Sequence, residues 1–274
     1  MGTIWIKHDD GLCWEQSELM KNAGLCHGVT SRGGGVSTGI YHSLNLSLQT
    51  DDDVLHVLEN RRRLCRAIGA DVMNITACQQ AEGDHIVAVG PAEIGCGAGS
   101  YQAGLAHADA MITDRANVPL LAFVADNVPI ILYDPIHHVC AVGQAGLQGT
   151  TRRLASKMVL AMELAYGSLP ADIYAYIGPC VSSAHMEVSE KSAQAVEAMG
   201  PAYAGCVRRG RKRTIDLRKA THYLLAESGL SPAHIDISSL CTFEDETHFF
   251  SVRRDWGHTG RMAAFAVLSA DSRE

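Results

Sequence analysis

The sequence predicts an α/β chain: a single layered domain of mixed α+β character, with a mixed β-sheet and flanking helices, spanning residues 1–274. Three observations predict it. At 274 residues, 47% hydrophobic and only 19% charged, the chain is long enough to bury a large core and too apolar for a coiled coil or a disordered tail. Short apolar runs of strand length alternate with amphipathic segments of helix length. No stretch has the Pro/Ser-rich or charge-block composition of a linker, and no internal repeat is present, so one domain suffices.

The clearest helix covers 54–68. Asp51, Asp52 and Asp53 precede it, where the helix dipole favours negative charge, and Gly69 ends it. Val54, Leu58, Leu64 and Ile68 fall broadly on one face and are read as its apolar side. Further helices are expected over 151–165, stopped by Gly167 and Pro170, over 187–199, and over 217–228, closed by Gly229. Strands are expected at 120–124, 130–133, 139–142 and 173–177, with a late one at 249–252. The order of the strands does not follow from these runs.

Charge and cysteine usage exclude several function classes. With 23 Lys+Arg against 30 Asp+Glu the net charge is −7, which argues against a nucleic-acid partner. The basic run Arg208, Arg209, Arg211, Lys212 and Arg213, interrupted by Gly210, reads as a solvated hairpin tip. Nine cysteines, no two closer than thirteen residues, form no CxxC motif and read as small core residues in a reduced, cytoplasmic protein. Neither a signal-peptide core nor an apolar run of about 18 residues occurs, so no membrane association is expected. The residues identify no protein partner.

Three segments place glycine and polar residues at the ends of apolar runs. Thr30–Gly39 contains Gly33, Gly34 and Gly35 beside Arg32, whose planar fork suits an anion, although the spacing matches neither a dinucleotide nor a P-loop motif. In Val124-Ala125-Asp126-Asn127-Val128, two polar residues interrupt an otherwise continuous apolar strand and must be hydrogen-bonded if buried. Val142–Thr151 runs from a strand through Gly143, Gly146 and Gly149 into a helix, an arrangement that presents backbone N–H groups to an anion.

Taken with the ordered series His27-Gly28-Val29-Thr30-Ser31-Arg32, Ser43-Leu44-Asn45-Leu46, Glu59-Asn60-Arg61, Ala108-Asp109-Ala110, Ile177-Gly178-Pro179, Cys241-Thr242, Arg253-Arg254-Asp255 and Thr259-Gly260-Arg261, these segments resemble the multicopper polyphenol oxidase-like (YfiH) family. The resemblance runs from His27 to near the end of the chain. It implies a YfiH-like fold and a kinship with purine nucleoside phosphorylases; other members are described as deaminases, phenol oxidases or peptidoglycan editors. It also implies a zinc or copper site made by the histidine of Gln-x-His-Gly, the cysteine of Ala-Asp-Cys and the first histidine of His-Ala-Gly-Trp-Arg-Gly.

This chain departs from that pattern at every ligand. The three motifs read Gln80-Ala81-Glu82-Gly83, Ala125-Asp126-Asn127 and Gln144-Ala145-Gly146-Leu147-Gln148-Gly149. One carboxylate and two neutral amides make a poor zinc or copper site, and no thiolate is available at Asn127. The expectation is therefore that the metal cofactor is lost, with no compensating ligand from His85, His107, Asp109, Cys140 or Cys180. Arg32, Glu82, Asp126, Asn127 and Gln144 are the expected ligand-binding residues, with Glu82, Asn127 and Gln144 the candidates for any remaining catalytic role. Two readings follow: a pseudoenzyme that keeps the cleft and binds a nucleoside-like small molecule, or a metal-independent phosphorylase converting adenosine or inosine to base and ribose 1-phosphate. In the second, Arg32 would hold the phosphate.

Overall fold

The computed structural model describes residues 2–270. Along the chain the first elements are β1 (Thr3–Lys7), β2 (Cys13–Ser17), α1 (Glu18–Asn22), β3 (Cys26–Thr30), α2 (Val54–Ile68), β4 (Thr76–Ala77) and β5 (Ile86–Ala88). The middle of the chain forms β6 (Ala110–Thr113), β7 (Leu120–Val124), β8 (Val128–Asp134), β9 (Val139–Ala145), α3 (Leu147–Thr151), α4 (Leu154–Tyr166) and β10 (Tyr174–Ile177). It closes with α5 (Glu190–Glu197), α6 (Pro201–Ala204), β11 (Val207–Arg209), β12 (Arg213–Ile215), α7 (Leu217–Glu227), β13 (Ile235–Ile237) and β14 (Met262–Val267).

The strands build two mixed six-stranded sheets rather than one. Their orders are β1-β2-β3-β14-β7-β4 and β13-β10-β8-β9-β6-β5, with β11-β12 a separate hairpin. Alternation along single strands shows how they stack. In β8, Ile131 and Tyr133 join Val142 of β9, Ala264 of β14 and Phe249 in a core between the sheets. Ile130 and Leu132 of the same strand face Met158 of α4 and Leu224 of α7 on the other side. In β14, Ala263 and Phe265 turn away from the inter-sheet core to meet Leu64 and Cys65 of α2. The order of layers is thus helix, sheet, sheet, helices. Central strands buried on both faces read as continuous apolar runs, which carry no information on which sheet they join.

Local chemistry explains most element boundaries. Asp53 caps α2 by accepting the Leu55 N–H, and Gly69 ends the helix at φ 67°. Its buried face differs from the apolar one expected: Val54 is exposed, whereas Asn60 and Arg61 are buried. Asn60 accepts the Val36 N–H at 2.8 Å and donates to the carbonyls of Ser43 and Asn45. Arg61 donates to the carbonyls of Leu46, Gly97 and Ala98. Helix 151–165 is interrupted: Arg153 adopts a left-handed conformation (φ 64°) between α3 and α4. The expected start at 187 is taken by pairing instead, since Val188 N–H donates to the Arg213 carbonyl, and α5 begins after its Ser189 cap. The segment expected as a late strand, 249–252, is irregular and leads into a turn: Asp255 N–H returns to the Ser251 carbonyl and Gly257 N–H to the Val252 carbonyl. Phe249 and Phe250 are buried without strand pairing, and the late strand is β14.

The basic run is a hairpin tip, as read from the sequence. Arg209 pairs with Glu190 at 3.0 Å and Glu197 at 2.9 Å, and Lys212 with Glu187 at 2.7 Å. All nine cysteines are free. Among the described residues no helix is long and apolar enough to cross a membrane.

Candidate functional site

The chain passes from the first sheet to the second between the end of β7 and the start of β8, and the residues of that crossing are Ala125, Asp126 and Asn127. A cleft of ≈ 700 Å³ opens beside it. Glu82, Asp126, Asn127 and Gln144 all line this cleft, together with Arg253 and Arg261. Four of the five residues singled out from the sequence therefore meet in one place.

Asp126 is 5% exposed, and the chain there needs the unusual φ of 86° to cross between sheets. Each of its carboxylate oxygens accepts a hydrogen bond: Thr242 Oγ1 donates to Oδ1 at 2.7 Å and the Arg253 N–H to Oδ2 at 2.7 Å. The expected partners of a buried carboxylate are thus supplied by two late segments. Asp126 ties the sheet crossing to these two segments while lining the cleft.

Asn127 and Gln144 are joined. In the β8–β9 ladder Val128 faces Ala145, so Asn127 lies over Gly146 and beside Gln144. Asn127 Nδ2 donates to Gln144 Oε1 at 2.5 Å, and Gln144 Nε2 donates to Asp109 Oδ1 at 3.1 Å. A Cβ at position 146 would lie 2.9 Å from Asn127 Oδ1, so a side chain there would push this amide from its place. Gln144 and Asp109 are 2% and 1% exposed.

Asp109 anchors the cleft wall, a role the sequence did not reveal. Three successive backbone N–H groups converge on its carboxylate: Ala81 at 3.2 Å and Glu82 at 2.8 Å on Oδ1, and Gly83 at 2.7 Å on Oδ2. Consecutive N–H groups arranged in this way form a nest for an anion. Glu82 takes a left-handed conformation, φ 56°, at its centre. The signal was present, because a carboxylate within the apolar run Ala108-Asp109-Ala110-Met111-Ile112 must find partners. Glu82's own carboxylate is exposed to the cleft, and none of the described residues donates a hydrogen bond to it.

Arg32 stands elsewhere. It is not among the cleft-lining residues; its Nε donates to the His42 carbonyl at 2.8 Å, its Nη1 to the Glu246 backbone carbonyl at 3.3 Å, and its guanidinium lies over the Phe250 ring. The glycines beside it serve chain packing: a Cβ on Gly35 would fall 2.0 Å from the Ser43 carbonyl oxygen. The cations lining the cleft are Arg253 and Arg261, both within the segments that carry the family resemblance. Burial lowers the pKa of Arg261, while Asp126, Tyr41 and Glu82 act in the opposite sense.

The donor set does not fit a zinc or copper ion. Gln144 Oε1 is occupied by Asn127, its Nε2 by Asp109, and Glu82 is the sole free carboxylate of the three positions. Among the described residues no group of three or more His, Cys, Asp or Glu side chains could hold a metal. His85, His107, Cys140 and Cys180 do not line the cleft, and burial pushes the Cys140 thiol up to about 12.

Comparison with known proteins accords with this fold. The chain is 33% identical to the purine nucleoside phosphorylase YlmD of Bacillus subtilis (strain 168) over 255 residues, covering 92% of this chain and 91% of the relative. It is 34% identical to a purine nucleoside phosphorylase of Deinococcus radiodurans over 253 residues, covering 92% of each. The crystal structure of Bacillus licheniformis hypothetical protein YfiH superposes with a TM-score of 0.91 at 30% identity, covering 97% of this chain and 99% of that one. YlmD of Geobacillus stearothermophilus gives the same TM-score, identity and coverage. The family model described as multi-copper polyphenol oxidoreductase laccase matches residues 26–269, and the chain belongs to that family.

Proposed function

We propose that this protein is a metal-free member of its family that binds a nucleoside in the cleft between its two sheets. The observation that carries the reading is the chain of hydrogen bonds Asn127–Gln144–Asp109, which fills with carboxamides the positions where the family motif has cysteine and histidine. Gln144 is engaged at both ends, and what Asn127 retains is a neutral amide oxygen, a weak ligand for a soft transition metal. Metal-activated water and copper redox chemistry are therefore not part of this reading. The printed names of the relatives, purine nucleoside phosphorylases, supply the ligand class.

A second reading has one observation in its favour. Arg253 and Arg261 line the same cleft as the free Glu82 carboxylate, so an anion and a sugar could be held together there. Phosphorolysis depends chiefly on positioning phosphate and stabilising positive charge developing on the sugar, which arginine and carboxylate can supply without a metal.

Incubating the protein with inosine or adenosine, with and without phosphate, separates the readings. The first predicts ligand-dependent thermal stabilisation without release of free base. Phosphate-dependent base release favours the second, and neither stabilisation nor turnover refutes both.

A further inference from the structure

We propose that Asp109 fixes the hydrogen-bond polarity of the cleft floor, so that Asn127 presents a permanent acceptor to the sugar hydroxyls of the ligand. The sugar assignment rests on the nucleoside reading above; the fixed polarity does not.

The argument starts from what each group can do. An ionised carboxylate only accepts, whereas a carboxamide has a donating end and an accepting end and can in principle turn over. Asp109 accepts from three backbone N–H groups, those of Ala81, Glu82 and Gly83, so both of its oxygens act as acceptors, and Oδ1 accepts from Gln144 as well. Gln144 must then turn its NH2 towards Asp109, which leaves its oxygen towards Asn127. Asn127 must in turn donate, as it does at 2.5 Å. The reverse orientation of either amide would set oxygen against oxygen or NH2 against NH2 in a site where Gln144 is 2% exposed. A carboxylate two amides away therefore decides which atom of Asn127 is left over.

That atom is Oδ1. None of the described residues donates to it, and Asn127 lines the cleft. Glu82, held at φ 56° by the same nest, contributes a second acceptor-only group to the same cleft. The cleft thus carries two acceptors that no described residue engages, complementary to O–H donors. The cis-diol of a ribose offers two of them. Asp109 touches no ligand in this scheme and acts as a positioning residue.

Two measurements test the proposal. In the free protein, hydrogen exchange of the side-chain amides followed by NMR is expected to show Asn127 and Gln144 NH2 groups protected, with Asn127 protection lost in Gln144→Met, which removes the relay while leaving the Asp109 nest intact. Exchange at the rate of an exposed amide in the wild type overturns the relay, whatever binds. In the second measurement, inosine and 2′,3′-dideoxyinosine are titrated calorimetrically. The wild type is expected to prefer inosine by about fivefold or more, the worth of a well-made hydroxyl–acceptor hydrogen bond. Asn127→Leu, with its fold checked by thermal melting, is expected to reduce that preference. Equal affinity of the wild type for the two nucleosides, or an undiminished preference in Asn127→Leu, overturns the sugar-facing acceptor. If neither nucleoside binds, the nucleoside reading fails and the exchange data alone decide the relay.

Discussion

Replacing Asp109 by alanine exposes how much of the cleft depends on one carboxylate. The side chain accepts four hydrogen bonds, from the N–H groups of Ala81, Glu82 and Gly83 and from Gln144 Nε2. Bonds to a charged group contribute about 1.5–3 kcal/mol each, but simple addition overstates the loss. Ala81 and Glu82 are exposed, so water can rehydrate their N–H groups once the carboxylate is gone. Gln144 is buried and cannot be rescued in this way, and removing a buried charge also removes its desolvation cost. The net expectation is a loss of about 3–4 kcal/mol, near the upper end for a point substitution. Asp84→Ala is the control, because Asp84 pairs on the surface with Lys157 and Arg152, and exposed pairs of this kind are worth about 0–1 kcal/mol. Urea unfolding of both variants and the wild type measures the difference. A loss below about 1 kcal/mol for Asp109→Ala, or one equal to that of Asp84→Ala, would refute the anchoring role.

Three further outcomes are expected. Gly146→Ala sets a Cβ 2.9 Å from Asn127 Oδ1 and 3.1 Å from Nδ2. It should cost about 1–3 kcal/mol by urea unfolding and abolish stabilisation by inosine. His27 is buried, its Nε2 accepting the Ser17 N–H at 3.0 Å and its Nδ1 facing the Leu25 carbonyl, and desolvation lowers its pKa from 6.5 to about 4. The unfolded chain binds this proton from about pH 6.5 downward and the folded chain only near 4. Stability should therefore fall as pH drops through that window, by about 3 kcal/mol at most. His27→Gln should show a visibly flatter loss between pH 6.5 and 4 in acid-unfolding curves. Finally, the combined Glu82→His, Asn127→Cys and Gln144→His variant should take up zinc, because Asp109 already stands where it would orient an imidazole at position 144. Failure of a folded variant to bind zinc would show that the scaffold no longer holds that geometry.

Much of this architecture is legible in the sequence, for reasons that can be named. Helix α2 is readable because Asp53 and Gly69 act through local backbone chemistry, and β7 because its apolar run is cut cleanly by Asp126. What failed depends on tertiary contacts. Nothing at Arg153 marks a helix break, since arginine is an ordinary helix former, yet the backbone turns left-handed there. Phe249–Val252 has strand composition, but Ser251 and Val252 give their carbonyls to Asp255 and Gly257. Strand β14 is rich in alanine and sits between β3 and β7, so burial rather than β propensity decides it. For the site, Asp126 and Asn127 are legible because they break an apolar run, whereas Glu82 and Gln144 follow only from the resemblance, as the residues at the family's histidine positions. Arg32 has a charge beside glycines that suits an anion, but its guanidinium is taken up by backbone carbonyls and the Phe250 ring, contacts that only the folded chain brings together.

Elemental analysis of the purified protein, prepared without chelators, probes the central proposal most directly. A cleft floored by Asn127, Gln144 and Asp109 in mutual hydrogen bonds should carry zinc and copper far below stoichiometry, and added zinc should leave its melting temperature unchanged. A stoichiometric zinc or copper ion per chain, retained through dialysis and lost on substitution of Glu82, would contradict it.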